Sequence, residues 1–97
     1  MVKFEEKVWQ LLKRIPKGKV TTYKIIARKL NARAYRAVGR ACARNPNAPR
    51  VPCHRVVMSS GKLGGYTADG SKASLLKKEG VIIRNGKVDL VKYLYDF

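Results

Sequence analysis

Residues 51–57 read Val-Pro-Cys-His-Arg-Val-Val, and they place one of two cysteines directly before the only histidine of the chain. A thiolate is a strong nucleophile, and an imidazole beside it is the usual base that generates one. Positive surroundings such as Arg55 favour the thiolate over the thiol. Two other readings compete: half of a metal site, or an apolar run that contains sulfur, since a free cysteine is commonly a buried hydrophobe. The metal reading fits poorly, because Cys42, Cys53 and His54 make at most three soft ligands without CxxC or HxxxH spacing. No metal and no cofactor is expected. A Cys42–Cys53 disulfide is open on spacing and disfavoured in a reducing cytoplasm, the expected location. On a regular strand Cys53 and His54 would point to opposite faces. A catalytic pair therefore needs a sharp turn here, or a water between thiol and imidazole.

The elements that must carry this pair belong to one small domain. The chain has 97 residues with a net charge of +16. Such an excess repels itself unless it meets a polyanion, and nucleic acid is the leading partner. No apolar run approaches the roughly 20 residues of a membrane span, and "MVKFEEKVWQ" lacks a signal-peptide core. No membrane partner is expected.

Residues 3–15 have the apolar spacing of an amphipathic helix, with Phe4, Val8, Leu11, Leu12 and Ile15 at steps of three and four. Pro16-Lys17-Gly18-Lys19 breaks it. Thr21 or Thr22 caps a second helix over 23–30, and a short turn leads into a third over 33–44, ending before Asn45-Pro46. Two short helices joined this way are the ingredients of a helix-turn-helix, here about 21–45.

On the third helix Arg33, Arg36, Arg40 and Arg44 fall within an arc of roughly 80°, at about 100° per residue. Ala34, Ala37, Val38, Ala41 and Cys42 form the facing arc, and the arginines are flanked by Gly39 and Ala43. This reads as a guanidinium stripe on a helix whose backbone can approach another surface closely. Beyond it, "RVVM" is a strand candidate and "SSGKLGGYTADG" a loop. "KASLLKKEG" is a helix capped by Ser71 and ended by Gly80, and Asn85-Gly86 is the favoured dipeptide of a type I′ hairpin turn. "VKYLYDF" closes the chain as a short helical turn. The expected fold is mainly α with a small β-hairpin, a winged-helix-like helix-turn-helix DNA-binding domain. By position alone Glu79 is a surface carboxylate at a helix end, Asn45 a helix cap, and Tyr23 a half-buried helix tyrosine.

"VPCHRVV" resembles the active-site motif of the O6-alkylguanine-DNA alkyltransferases. "GKVTTYKIIA", "RAVGRACARNP", "PCHRVVMSSGKLGGY" and "LLKKEG" are similar to that family's DNA-binding and active-site segments, in order and at similar spacing. The resemblance spans nearly the whole chain, with the active-site motif at 52–56. It implies that Cys53 attacks the alkyl carbon on the guanine oxygen in a single turnover. It further implies that His54 takes the thiol proton through a water, Glu79 holds the imidazole by its other nitrogen, and Asn45 ties the recognition helix to the active-site turn. The target base would leave the stack. The recognition helix would enter the minor groove, about 6 Å wide, through Arg33, Ala37, Gly39, Arg40 and Ala43. Arg36 would fill the vacated space, and Tyr23 would press on the target phosphate and donate to the base. The pocket would be formed by the carbonyls of Cys53 and Val56 with Ser60, Gly64, Gly65, Tyr66, Thr67 and Lys72.

The implied partner is double-stranded DNA containing O6-alkylguanine, bound by a monomer. Two departures bear on this. Family members that keep the cysteine usually carry another domain before this one. The expectation here is a single domain over 1–97 with no N-terminal domain, the size of the alkyltransferase-like proteins, which bind the lesion without repairing it and lack the cysteine. Thr67 and Ala68 stand where the family often has Ser and Gly, which bears on the alkyl groups accepted. A non-catalytic lesion-binding module and a winged-helix transcription factor are the competing readings.

Overall fold

The computed structural model describes residues 3–31, 35–47, 50–64 and 71–97. Helix α1 (Phe4–Leu12) buries Val8, Leu11 and Leu12 on one side, and Ile15 is buried just beyond. It ends three residues earlier than its apolar spacing suggests. Ile15 precedes Pro16, whose ring disfavours helical geometry in the residue before it, and the chain leaves through a tight turn in which Arg14 N and Ile15 N donate to Leu11 O and Leu12 O.

Thr21–Thr22 form a short strand, β1, and lead directly into α2 (Tyr23–Lys29). The Thr22 hydroxyl accepts from Ile25 N at 3.1 Å and caps that helix. Asn31, at φ +56°, turns the chain out of α2. Helix α3 (Tyr35–Ala43) packs against both α1 and α2. The start expected at Arg33 and Ala34 lies outside the described residues.

Contact with two helices widens the covered arc of α3. Val38, Ala41, Cys42 and also Gly39 are buried, whereas the sequence places Gly39 with the exposed arginines. Arg36, Arg40, Ala43 and Arg44 remain exposed. Arg44 pairs with Glu5 of α1 at 3.4 Å, an exposed ion pair of small energetic value.

Residues Cys53–Arg55 form a 3-10 turn that enters strand β2 (Val56–Val57). β2 pairs in parallel with β1, Thr21 opposite Val56 and Thr22 opposite Val57. Successive strand residues face opposite sides. Val56 accordingly belongs to the apolar cluster of α1, α2 and α3, and Val57 to a second cluster with Val20, Leu76, Val81, Val88 and Tyr93. The turn that carries Cys53 therefore sits where the two halves of the core meet.

The second cluster is built by α4 (Ser71–Lys78), the hairpin β3 (Ile83–Arg84) and β4 (Lys87–Val88), and α5 (Leu90–Tyr93). Asn85 and Gly86 both have positive φ, as a type I′ turn requires. Asp89 caps α5 by accepting from Val91 N at 3.0 Å. The described residues form a mostly helical domain with two small sheets.

Candidate active site and DNA interface

The turn that carries Cys53 is held from outside. Val51 O accepts from Cys53 N at 2.9 Å and from Asn45 Nδ2 at 2.6 Å. Asn45 Oδ1 in turn accepts from Asn47 N at 3.0 Å. One side chain just past α3 thus connects the end of that helix to the turn. Cys53 is half-buried and His54 is 4% exposed. In a 3-10 turn consecutive side chains diverge by about 120°, so the sharp turn by itself does not bring imidazole and thiol face to face.

His54 is fixed by a residue 25 positions further along the chain. Its Nε2 lies 3.0 Å from Glu79 Oε2. Arg55 grips the same carboxylate with both arms of its guanidinium, Nε to Oε1 at 2.8 Å and Nη2 to Oε2 at 2.6 Å. Its third nitrogen, Nη1, donates to Ile15 O at 2.7 Å. Burial alone raises the pKa of Glu79, but the hydrogen bonds from Arg55 and then His54 outweigh it and bring the value down to about 2. Burial also lowers the pKa of His54, against the opposing pull of Glu79.

The contact with the Glu79 carboxylate assigns the tautomer. An ionised carboxylate only accepts, so Nε2 carries the proton, and a neutral ring then leaves Nδ1 with a bare lone pair. Nδ1 is buried and has no hydrogen-bond partner among the described residues. It is the basic atom of the site.

Glu79 reaches this position through the end of α4. Gly80 N donates to Lys77 O, and Val81 N to Leu76 O, both at 3.0 Å. This is the Schellman arrangement with Gly80 at its left-handed position, φ +89°. Leu76 and Val81 complete it within the second apolar cluster. The Glu-Gly dipeptide at 79–80 is thus a helix stop that presents a carboxylate.

Lys72 is almost wholly buried, at 2% exposure. Its Nζ donates to the Tyr23 hydroxyl at 3.0 Å and lies 5.3 Å from the centre of that ring. Burial lowers its pKa to about 8. Gly64 adjoins this pair at φ +88°, and a Cβ there would lie 3.2 Å from the Tyr23 hydroxyl. Cys42 packs in the first core cluster, and burial pushes its thiol up to about 12.

A groove of about 600 Å³ opens beside these residues. It is lined by Tyr23, Lys24, Tyr35, Arg36, Gly39, Arg40, Met58, Ser59 and Gly64. Of the residues expected to meet DNA, Tyr23, Arg36, Gly39 and Arg40 come together on it. Ala37 is half-buried and Ala43 exposed on the same helix, and Arg33 lies outside the described residues. Of the expected pocket residues, Gly64 lines the groove, Ser60 is exposed in the adjoining turn, Val56 is fully buried in β2, and Lys72 stands behind Tyr23. Gly65, Tyr66 and Thr67 lie outside the described residues.

The chain matches the DNA-binding domain of 6-O-methylguanine DNA methyltransferase over residues 3–81. It belongs to that family. A methylated-DNA–protein-cysteine methyltransferase of Methanosarcina acetivorans is 51% identical over 79 residues, covering 79% of this chain and 51% of that protein. A bifunctional methyltransferase/endonuclease of Picrophilus torridus is 40% identical over 91 residues, covering 92% of this chain and 30% of that protein. The chain thus spans about half or less of the length of these relatives. Among solved structures, Schizosaccharomyces pombe Atl1 bound to damaged DNA containing O6-carboxymethylguanine superposes with a TM-score of 0.87 at 30% identity, over 100% of both chains. Mycobacterium tuberculosis OGT in complex with DNA gives 0.75 at 43% identity, over 81% of this chain and 50% of that one. No helix among the described residues is long and apolar enough to cross a membrane.

For this member of the methyltransferase family, sequence reasoning missed three parts of the site. Arg55 was noted only as a positive neighbour of Cys53, yet it clamps Glu79 and ties the turn to the end of α1. Its place next to His54 was the available signal. Tyr35 and Met58, both lining the groove, were read as part of a helix and a strand. The pairing of β1 with β2 was also missed, because two-residue strands have no periodicity to detect.

Proposed function

We propose that the protein repairs O6-alkylguanine in double-stranded DNA, methyl adducts first, by transferring the alkyl group irreversibly to Cys53. The observation that carries this reading is the His54 Nε2–Glu79 bond, which leaves a basic Nδ1 on the residue next to a half-buried thiol. Residues 21–45 form the helix-turn-helix that docks in the minor groove, and residues 52–56 form the reactive turn. Arg33, Ala37, Gly39, Arg40 and Ala43 lie along the duplex, and Arg36 fills the space of the everted nucleotide.

The reaction is one displacement. The Cys53 proton passes through a water to His54 Nδ1, and the resulting imidazolium is stabilised by the Glu79 carboxylate. Cys53 Sγ then bonds to the alkyl carbon while the carbon–oxygen bond breaks. The electron pair stays on the guanine, which takes a proton from Tyr23, itself held by Lys72. Gly64, Gly65, Tyr66, Thr67 and Ser60 shape the pocket around the base. The thioether product has no leaving group that water can displace easily, so each molecule acts once.

The test is to incubate the protein with a duplex carrying one O6-methylguanine and measure its mass. A stoichiometric gain of one methyl that disappears in Cys53→Ala is expected. No gain, or one that survives the substitution, overturns the proposal.

The match to Atl1 over the full length of both chains favours a second reading: a lesion-binding module that flags O6-alkylguanine for another repair pathway. Tight lesion binding with no alkyl transfer over hours would identify it.

A further inference from the structure

Tyr35 opens α3 at 57% exposure, beside Arg36. On a helix, positions 35, 39 and 42 lie along one stripe, at steps of four and three. The other two members, Gly39 and Cys42, are buried. Tyr35 is therefore a core-type residue that projects where its neighbours no longer cover it, into the groove of about 600 Å³. Met58, 44% exposed at the end of β2, lines the same groove. Among the described residues, the other exposed large apolar side chains, Ile82, Val91 and Leu94, belong to the C-terminal part of the chain.

The groove's other side chains define its occupant. Lys24, Arg36 and Arg40 surround the two apolar groups with positive charge, and the chain carries +16 overall. A flat apolar ring flanked by guanidinium and ammonium groups fits a nucleobase attached to phosphate. Aromatic side chains hold bases by stacking, without preference for sequence. Minor-groove proteins use apolar wedges in the same way to hold a duplex unstacked.

We propose that Tyr35 is a positioning residue that stacks on the base next to the vacated site, while Arg36 occupies the gap itself. A finger of charge alone fills the space but leaves the flanking base face exposed to water, and the Tyr35 ring covers that face. This rests on the reading that α3 enters the minor groove at an everted nucleotide. It adds a second, apolar component to eversion.

The experiment, run in a Cys53→Ala background so that the lesion is not consumed, measures equilibrium binding to two matched duplexes, one undamaged and one with an O6-methylguanine flanked by 2-aminopurine, whose fluorescence reports loss of stacking. Tyr35→Ala is compared with Tyr35→Phe, and thermal melting of each variant checks the fold. Tyr35→Ala is expected to weaken lesion binding about tenfold, within the range seen for lost base stacking, and to raise 2-aminopurine fluorescence in the complex. Tyr35→Phe retains wild-type behaviour, because the ring is kept. Equal weakening on both duplexes overturns the proposal, as does an unchanged lesion affinity in Tyr35→Ala. A loss of equal size in Tyr35→Phe overturns it too, since the hydroxyl would then be the functional group. None of these readings requires alkyl transfer. Failure of the wild type to take up methyl, with the tenfold binding difference intact, refutes the repair reaction and not the stacking role.

Discussion

His54 and Glu79, 25 positions apart in the chain, meet at 3.0 Å through Nε2 and Oε2. The contact joins the Cys53–Arg55 turn to the end of α4, and Arg55 closes it from the other side. Glu79→Gln keeps the shape but removes the charge that stabilises the imidazolium. Transfer to Cys53 is expected to slow by roughly 100-fold, the lower end of general-base contributions. Single-turnover kinetics on an O6-methylguanine duplex measures it.

The same contact sets the response to acid. Both His54 and Glu79 have folded pKa values below their ordinary ones, so the unfolded chain binds more protons and stability rises with pH. The His54 contribution is lost as pH falls below about 6.5, its unfolded value. The Glu79 contribution is present above about 4.5 and lost as pH falls toward 2. Urea midpoints from pH 7 to 3 should decline in wild type, and more shallowly below pH 4.5 in Glu79→Gln.

Lys72 gives the opposite end of the pH scale. Its folded pKa of about 8 lies below the ordinary 10.5, so the buried charge destabilises the fold below pH 8. That penalty is relieved as pH rises from 8 to 10.5. Lys72→Met is expected to stabilise the protein at pH 7 by up to roughly 3 kcal/mol, from 1.36 kcal/mol per pKa unit. The difference between variant and wild type should shrink by pH 10. A buried lysine kept at such a cost is the usual sign of a functional constraint, and the variant should lose repair of duplex DNA while gaining stability.

The two thiols should separate cleanly under alkylating reagents. Cys42 is buried and its thiol stays protonated, with a pKa of about 12, and protonated thiols are poor nucleophiles. One equivalent of iodoacetamide per native chain is expected, all of it on Cys53 by peptide mapping. Two equivalents should appear only after unfolding.

Arg36 is exposed and lines the groove. Arg36→Ala should slow reaction with duplex O6-methylguanine far more than reaction with free O6-benzylguanine, because only the duplex demands eversion. Equal slowing of both would contradict the finger role. Affinity for undamaged duplex should fall steeply with salt, as phosphate contacts dictate.

Gly80 tests how Glu79 is presented. Its φ of +89° is unfavourable for a residue with a Cβ, although a Cβ there would meet nothing within 4 Å. Gly80→Ala should therefore lower stability by about 1–2 kcal/mol through backbone strain alone. A drop in transfer rate beyond that of a surface control would show that the helix stop positions the carboxylate.

Much of this protein is local, and local features were readable in the chain. Apolar spacing located α1, and cap and turn signals placed α2 and most of α3. Thr21 or Thr22 marked the start of α2, with Thr22 the cap in the structure; Gly80 marked the stop of α4 and Asn85-Gly86 the hairpin, since each answers to the conformation of a few neighbouring residues. The charge of +16 and the arginine-bearing helix pointed to a polyanion. The Cys-His dipeptide singled out a candidate thiol, and a catalytic pair there required more than a plain strand.

Tertiary structure decided what depends on residues far apart. Which nitrogen of His54 meets a carboxylate was set by Glu79 and Arg55 through the clamp at α4, because that contact joins residues 25 positions apart. The burial of Gly39 followed from α3 packing on two helices at once, which no single-helix periodicity reports. Lys72 carries the most common surface chemistry in this chain. Only the fold, by bringing Lys72 against Tyr23, turned it into a buried cation beside the groove.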